Sequence, residues 1–540
     1  MDVNNLNSLE ERGENMRLDI LKFGGALLFL IAVGLFINNT MGQGPNHTFL
    51  IVSAVIGGYM ALNIGANDVA NNVGPAVGSG AISLIGAICI AMVFESAGAL
   101  IAGGEVVSTI KKGIIAPSLI NNSDTFIWLM LAALLAAAIW LNIATFFNAP
   151  VSTTHSIVGG VLGAGIAAGG FGIANWAVFG KIAASWVISP VLGGIIAATF
   201  LYLIKRTITY QEDKVLAAKR ILPLLIALMA WAFSTYLILK GLKKIWKVDF
   251  VMAGSIAFAI ALTLYFAVRP LINKAAAALD NSKASVNTLF TIPLIFAAAF
   301  LSFAHGANDV ANAVGPLAAI NDAITHGGIA KKAAIPLWIM LIGAVGLSLG
   351  LALYGAKLIR TVGSEITELD KMRAFCISMA AAITVIIASQ FGLPVSSTHI
   401  AVGAIFGVGF LREYLKRTDA KRLDEIREHH EHHEHHEHHE HHEHHEHHEH
   451  QDPEVTEAFL NTFNTASVVT KSKMLKELKA NSNETEFTKK ERKSLKKVYK
   501  QQLVKRSHVY KIAIAWVVTV PTSAFMAAFL YFTIRGILIP

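Results

Sequence analysis

The chain has 540 residues, a net charge of +8, 54% hydrophobic residues and only 15% Asp, Glu, Lys and Arg. Soluble domains carry about 25% charged residues, so this composition, with a mean hydropathy of +0.52 and recurring apolar runs, excludes a soluble multidomain enzyme. Cys89 and Cys376 both lie inside apolar runs, which excludes a disulfide framework or zinc motif, and basic residues confined to short clusters between the runs exclude a nucleic-acid footprint.

The first apolar run, about 20 to 38, follows an acidic and amidic stretch and lacks a small-residue cleavage pattern, so it reads as a span and not as a leader. Further spans are expected near 47 to 65, 81 to 103, 126 to 147, 152 to 170, 174 to 204, 221 to 240, 250 to 268, 289 to 305, 334 to 356, 372 to 391, 396 to 411 and 512 to 538, thirteen in all. The expected fold is an all-α, polytopic membrane protein with about 12 to 13 membrane segments. Threading from a cytoplasmic N-terminus puts Lys205 to Arg220, Arg269 to Lys283 and Arg412 to Lys511 on one side, which the positive-inside rule makes the cytoplasm. Lys111-Lys112 and Lys240 to Lys247 fall on the wrong side of that threading.

Two motifs recur in the same order. Residues 65 to 75 read GANDVANNVGP and 306 to 316 read GANDVANAVGP, while 150 to 155 read PVSTTH and 394 to 399 read PVSSTH. Asp68 to Ser152 spans 84 positions and Asp309 to Ser396 spans 87, so the chain contains two copies of one unit. An odd number of crossings between them makes the copies inverted repeats, the arrangement secondary transporters use for alternating access. The short 152 to 170 and 396 to 411 segments decide that parity if they are re-entrant. The expected organisation is 1–45, a tail with an extra helix; 46–204, repeat 1; 205–288, a basic connector with two linking helices; 289–411, repeat 2; 412–510, an insert; and 511–540, the last helix of repeat 2.

In GANDVAN, Asn and Asp end an apolar run, where burying a carboxylate costs about 2.5 to 3.5 kcal/mol unless something compensates. The glycines and the Gly-Pro pairs (Gly74-Pro75, Gly315-Pro316) predict a broken helix whose carbonyls and side chains face a shared cavity. In PVSTTH and PVSSTH, hydroxyls at a helix start sit beside unpaired backbone N–H groups and the positive end of the helix dipole, an anion cradle without Lys or Arg. Two aspartates beside such cradles cannot hold a multiply charged anion unless they are protonated or share a metal cation. Coupling to Na⁺ or H⁺ follows. Glu95, in mid-span with no basic residue within a turn, reads as functional, whereas His155 and His399 read as hydrogen-bonding groups before proton relays.

These paired motifs resemble the inorganic phosphate transporter family known as PiT, over residues 47 to 411 and the last span. The resemblance implies a cation-coupled phosphate symporter using H⁺ or Na⁺; some members accept phosphate as a neutral metal complex and some relatives move sulfate. It implies a substrate site of Asn67, Asp68, Ser152, Thr153, Thr154, Asn308, Asp309, Ser396, Ser397 and Thr398, with the coupling cation at Asn67, Asp68, Glu95, Asn308 and Asp309. Phe94-Glu95 is similar to the family's Phe-Glu element. Where many members carry a Glu ahead of the second PVS motif, this chain has Ser378 near the expected place. No resident cofactor is implied; the partners are inorganic phosphate, the coupling cation and the bilayer of a plasma or bacterial inner membrane, with a homo-oligomer left open.

From Glu428 to His450 the chain repeats His-His-Glu, a period of three that fits neither helix nor strand, so the tract is expected to lack regular structure. It lies in the cytoplasmic loop of the threading. Its imidazoles, among them His429, His430, His432, His433, His435 and His436, suit loose metal binding without fixed geometry. The rivals to a phosphate symporter are a sulfate permease of the same kind, a divalent-metal transporter using this tract, and an intramembrane enzyme. The metal transporter would need histidine and carboxylates in ligand spacing within the membrane, and the enzyme lacks any nucleophile-base pair.

Overall fold

The computed structural model describes residues 3–42, 44, 46–120, 122–147, 151–241, 248–326, 335–365, 369–434, 474 and 506–538. Its elements are helical apart from one isolated bridge between Ile115 and Ala174. In chain order they are α1 (Val3–Thr40), α2 (His47–Asn67), α3 (Val69–Gly78), α4 (Leu84–Ala102), α5 (Gly104–Lys112), α6 (Ser123–Phe146), α7 (Thr153–Gly169), α8 (Trp176–Ile204), α9 (Lys214–Tyr236), α10 (Phe250–Ala276), α11 (Lys283–Leu289), α12 (Thr291–His326), α13 (Leu337–Glu365), α14 (Lys371–Gln390), α15 (Ser397–Glu434) and α16 (Arg506–Leu538). Among the described residues, eleven helices are long and apolar enough to cross a bilayer. This is a multi-pass membrane protein.

The two segments that separate thirteen expected spans from eleven are 152 to 170 and 396 to 411, the short ones that open with the hydroxyl motifs. Helix α7 is 17 residues long. It packs along α6 and returns to where α6 began: Ala116 N donates to Ile173 O (2.8 Å), and Asn175 N donates to Ile114 O (2.9 Å). The α6–α7 pair therefore enters and leaves at one level, as a re-entrant hairpin whose tip carries Val151–Thr153. Mean hydropathy cannot separate such a hairpin from a crossing, because both are buried in apolar surroundings.

The copies exchange partners. Helix α4 of repeat 1 packs on α12 of repeat 2, and α13 of repeat 2 packs on α2 of repeat 1. A Cβ on Gly65 would collide with the carbonyl of Leu347, and one on Gly306 with that of Glu95; likewise Gly98 lies on Phe303 and Gly350 on Leu62. These four contacts form two equivalent pairs under one pseudo-two-fold relation. Ser96 and Ser348, which that relation exchanges, lie 2.7 Å apart through their hydroxyls. The position equivalent to Glu95 is thus Leu347 in α13. Ser378 lies elsewhere, buried in α14, its hydroxyl without a hydrogen-bond partner among the described residues.

The expected helix break occurs in one copy only. In repeat 1, α2 ends at Asn67 and α3 restarts at Val69, with Asp68 at the junction. In repeat 2, α12 runs unbroken through the motif and Pro316. Glycine here serves close approach: a Cβ on Gly315 would fall 2.7 Å from Ile110 Cγ2 of α5. Proline interrupts one backbone bond, which tertiary packing in a bundle tolerates.

Residues Gly409–Arg506 form a second compact unit, separate from the unit made of Met1–Val408 and Ser507–Pro540. The helical stretch reaches Glu434, so residues 428 to 434 are helical and not irregular as the period of three predicted. His429, His430, His432 and His433 lie on this stretch; His435, His436 and the rest of the tract lie outside the described residues.

Candidate functional site

Each copy of the hydroxyl motif starts a helix with its first serine as cap: Ser152 Oγ accepts from His155 N (3.1 Å) and Ser396 Oγ from His399 N (3.2 Å). That use of the serines leaves the next hydroxyl of each motif to a carboxylate. Thr153 Oγ1 donates to Asp68 Oδ2 (2.7 Å), and its counterpart Ser397 donates to Asp309 Oδ2 (2.8 Å). Each aspartate is bound by a hydroxyl of its own repeat.

The asparagines then cross between repeats. Asn71 Nδ2 donates to Thr398 Oγ1 (2.9 Å), while Asn312 Nδ2 donates to Thr154 Oγ1 (3.0 Å) and Thr153 Oγ1 (3.1 Å). Thr398 in turn donates to Asp68 Oδ1 (3.0 Å), across the repeat boundary. Asn67 Nδ2 donates to Val151 O (3.2 Å). In the amide orientation that satisfies both of its ends, Asn308 matches this: Nδ2 donates to Val395 O (3.1 Å) and Asp309 Oδ1 (3.0 Å), and its oxygen accepts from Ser389 Oγ (2.9 Å). All ten residues expected at the substrate site are thus buried together, with Ser152 and Ser396 as caps and the rest within the network or one bond from it.

Glu95 joins the cluster through a residue that the motifs did not flag. His305, just before the second GANDVAN, is fully buried; its Nδ1 lies 3.0 Å from Glu95 Oε1 and its Nε2 2.9 Å from Asp309 Oδ2. Asn72 Nδ2 donates to the same Glu95 oxygen (2.8 Å). Two carboxylate oxygens facing the two ring nitrogens require two protons, and neutral imidazole has one. The signal was available: a histidine inside the run FLSFAHGAND stands where burial tolerates it only with partners. His155 and His399, by contrast, sit among rings, His155 against Trp186 (3.8 Å between centroids) and His399 on Trp516 (3.6 Å), 4.4 Å from each other. Neither bonds the carboxylates.

Asp68, His305 and Asp309 offer one ligand atom each within 4.8 Å of one another. Nearby, Asn312 Oδ1, Asn72 Oδ1 and Glu95 Oε2 are buried with no hydrogen-bond donor among the described residues. Hard oxygens without donors, around clustered carboxylates, fit a cation. The cluster also meets the requirement set above for metal transport, histidine with carboxylates in ligand spacing; its surroundings remain hydroxyls and amides.

Comparison with known proteins points to one family. Residues 64–527 match the model of the phosphate transporter family. A provisionally named phosphate permease of Helicobacter pylori (strain J99) is 52% identical over 538 residues, 98% of each chain. Another, from Pyrococcus horikoshii, is 40% identical over 369 residues, 68% of this chain and 90% of its own. A solved structure described as the sodium-dependent phosphate transporter aligns with TM-score 0.71 at 31% identity, covering 91% of this chain and all of its own.

Proposed function

We propose a coupled transport cycle for this chain, which belongs to the phosphate transporter family: inorganic phosphate crosses the membrane with Na⁺ or H⁺ by alternating access. The observation that carries it is the joining of Asp68 and Asp309, one from each repeat, in a buried network of hydroxyls and amides. Two carboxylates and a phosphate cannot share this space without compensating positive charge, and among the described residues the partners of Asp68 and Asp309 are hydroxyls, an amide and His305, with no Lys or Arg. Moving a divalent anion into a negative interior also costs ~4.6 kcal/mol per 100 mV, twice the single-charge value. Two co-moving cations cancel that, and a third makes uptake electrically driven.

In this cycle Asp68, Asp309 and the donor-free oxygens of Asn72, Asn312 and Glu95 hold the cation, while Thr153, Ser397 and Thr398 turn from the carboxylates, and Thr154 from Val395 O, to the phosphate oxygens. His305 supplies a second route, since a proton shared with Glu95 or Asp309 is itself a coupling charge. The inverted relation of the repeats is supported by parity: with each hydroxyl hairpin counted as re-entrant, α4, α8, α9, α10 and α12 follow α2 as crossings, five reversals. The basic segments then favour an N-terminus and a His-rich loop on the cytoplasmic side of a plasma or bacterial inner membrane.

Reconstitution into liposomes tests the proposal. Uptake of labelled phosphate should require an inward Na⁺ or proton gradient, rise with an interior-negative potential, and resist excess sulfate. Flux of a labelled divalent metal without phosphate, or phosphate flux indifferent to every cation gradient, would refute it.

A further inference from the structure

Apart from the carboxylate cluster, a cavity of about 480 Å³ lies between α5, the first turn of α8 and the turn joining α14 to α15. Its rim includes Gly113 and Val178, next to Ile114 and Asn175, whose backbone bond (2.9 Å) marks the level at which the α6–α7 hairpin enters. Its floor is Gln390–Gly392, and Glu105, Ser108 and Thr109 of α5 form a wall. A carboxylate, two hydroxyls and a primary amide around open space in a membrane protein imply water there, because lipid would leave them unsatisfied.

The floor turn is flanked in sequence by residues of the carboxylate network: Ser389 before it bonds Asn308, and Ser397 after it donates to Asp309 Oδ2. On its cavity side the same turn is pinned to α5, Thr109 Oγ1 donating to Gly392 O (2.7 Å). Gly392 has φ +63°, a left-handed conformation that glycine adopts without strain. Beside the wall, Lys240 Nζ lies 3.5 Å from Glu105 Oε1. Lys240 belongs to one of the two basic segments that contradict the positive-inside threading. A cationic group on the wrong side for topology suits recruitment of an anion.

We infer that this cavity is an outward-facing vestibule in which phosphate pauses before reaching the carboxylate cluster, recruited by Lys240, bonded by Ser108 and Gln390, and admitted when the Gln390–Val395 turn lifts from Thr109. The assignment rests on the phosphate reading and the threading above. A tetrahedral oxyanion accepts bonds from hydroxyl and amide donors; both kinds line this cavity, and the Lys240 ammonium lies behind its wall, offsetting the charge of Glu105. None of the three residues belongs to the carboxylate network.

The test uses the full-length chain with Cys89→Ser and Cys376→Ser, into which Ser108→Cys or Gln390→Cys is placed separately. A membrane-impermeant thiol reagent should label both in intact cells and neither in inverted vesicles, and inorganic phosphate with the coupling cation should slow the labelling. Lys240→Gln should raise KM for phosphate about three- to tenfold with kcat unchanged, and Lys240→Arg should restore it. Labelling only from the inverted side, labelling indifferent to phosphate, or an unchanged KM in Lys240→Gln would overturn the vestibule. If the unmodified chain moves no phosphate, the proposed function fails instead, and one-sided labelling still reports where the cavity opens.

Discussion

In the proposed cycle Asp68 and Asp309 hold the coupling cation and His305 shares a coupling proton with Glu95 or Asp309, so each has a distinct expected phenotype. Removing the charge with Asp68→Asn or Asp309→Asn should weaken cation binding by ~2 to 3 kcal/mol, about 30- to 150-fold, while the protein still inserts. Ion-dependence curves of phosphate uptake measure this, and wild-type curves in both variants would take these residues out of the cycle. His305→Gln keeps a donor but cannot carry a second proton, so it should flatten the pH dependence of uptake more than it changes KM. The aspartates and hydroxyls were legible because their motifs occur twice. Repetition could not flag His305, because Ile64 occupies its place in repeat 1; its only signal was a lone histidine in an apolar run. The crossing of Asn71 and Asn312 to the other repeat's threonines was equally hidden, being a property of how the copies meet.

At the level of helices, periodicity and hydropathy located the spans but could not tell a crossing from the α6–α7 hairpin, whose topology is set by the contact between residues 114–116 and 173–175. Nor could Gly-Pro report a break, since Gly315 answers to Ile110 and not to a bend. Gly65→Ala and Gly306→Ala each drive a methyl into a backbone carbonyl, an overpacking of ~1 to 3 kcal/mol or more, visible as lowered thermal stability in detergent. The buried pair of Lys111 and Asp322, which joins α5 to α12, makes a second prediction. Lys111→Met alone strands a buried carboxylate and should cost ~3 to 5 kcal/mol, whereas Lys111→Met with Asp322→Leu should recover most of it. That pairing neutralises the charge of Lys111 inside the protein, which removes it from the set of loop charges that the positive-inside rule counts.

Across the whole molecule, two copies of one unit exchange helices so that neither can form the site alone, with α4 on α12 and α13 on α2. The His-rich tract lies in a separate unit, and deleting residues 428 to 450 should leave phosphate uptake within about twofold of wild type, as expected for change away from packed features; collapse of uptake would give the tract a transport role. The most direct test of a single shared site is cation-dependent phosphate binding to the purified protein, measured by calorimetry for Asp68→Asn, Asp309→Asn and the double variant. A shared site predicts that each single change loses nearly as much affinity as both together, a strong non-additivity. Losses that simply add, or binding that survives in the double variant, would contradict it.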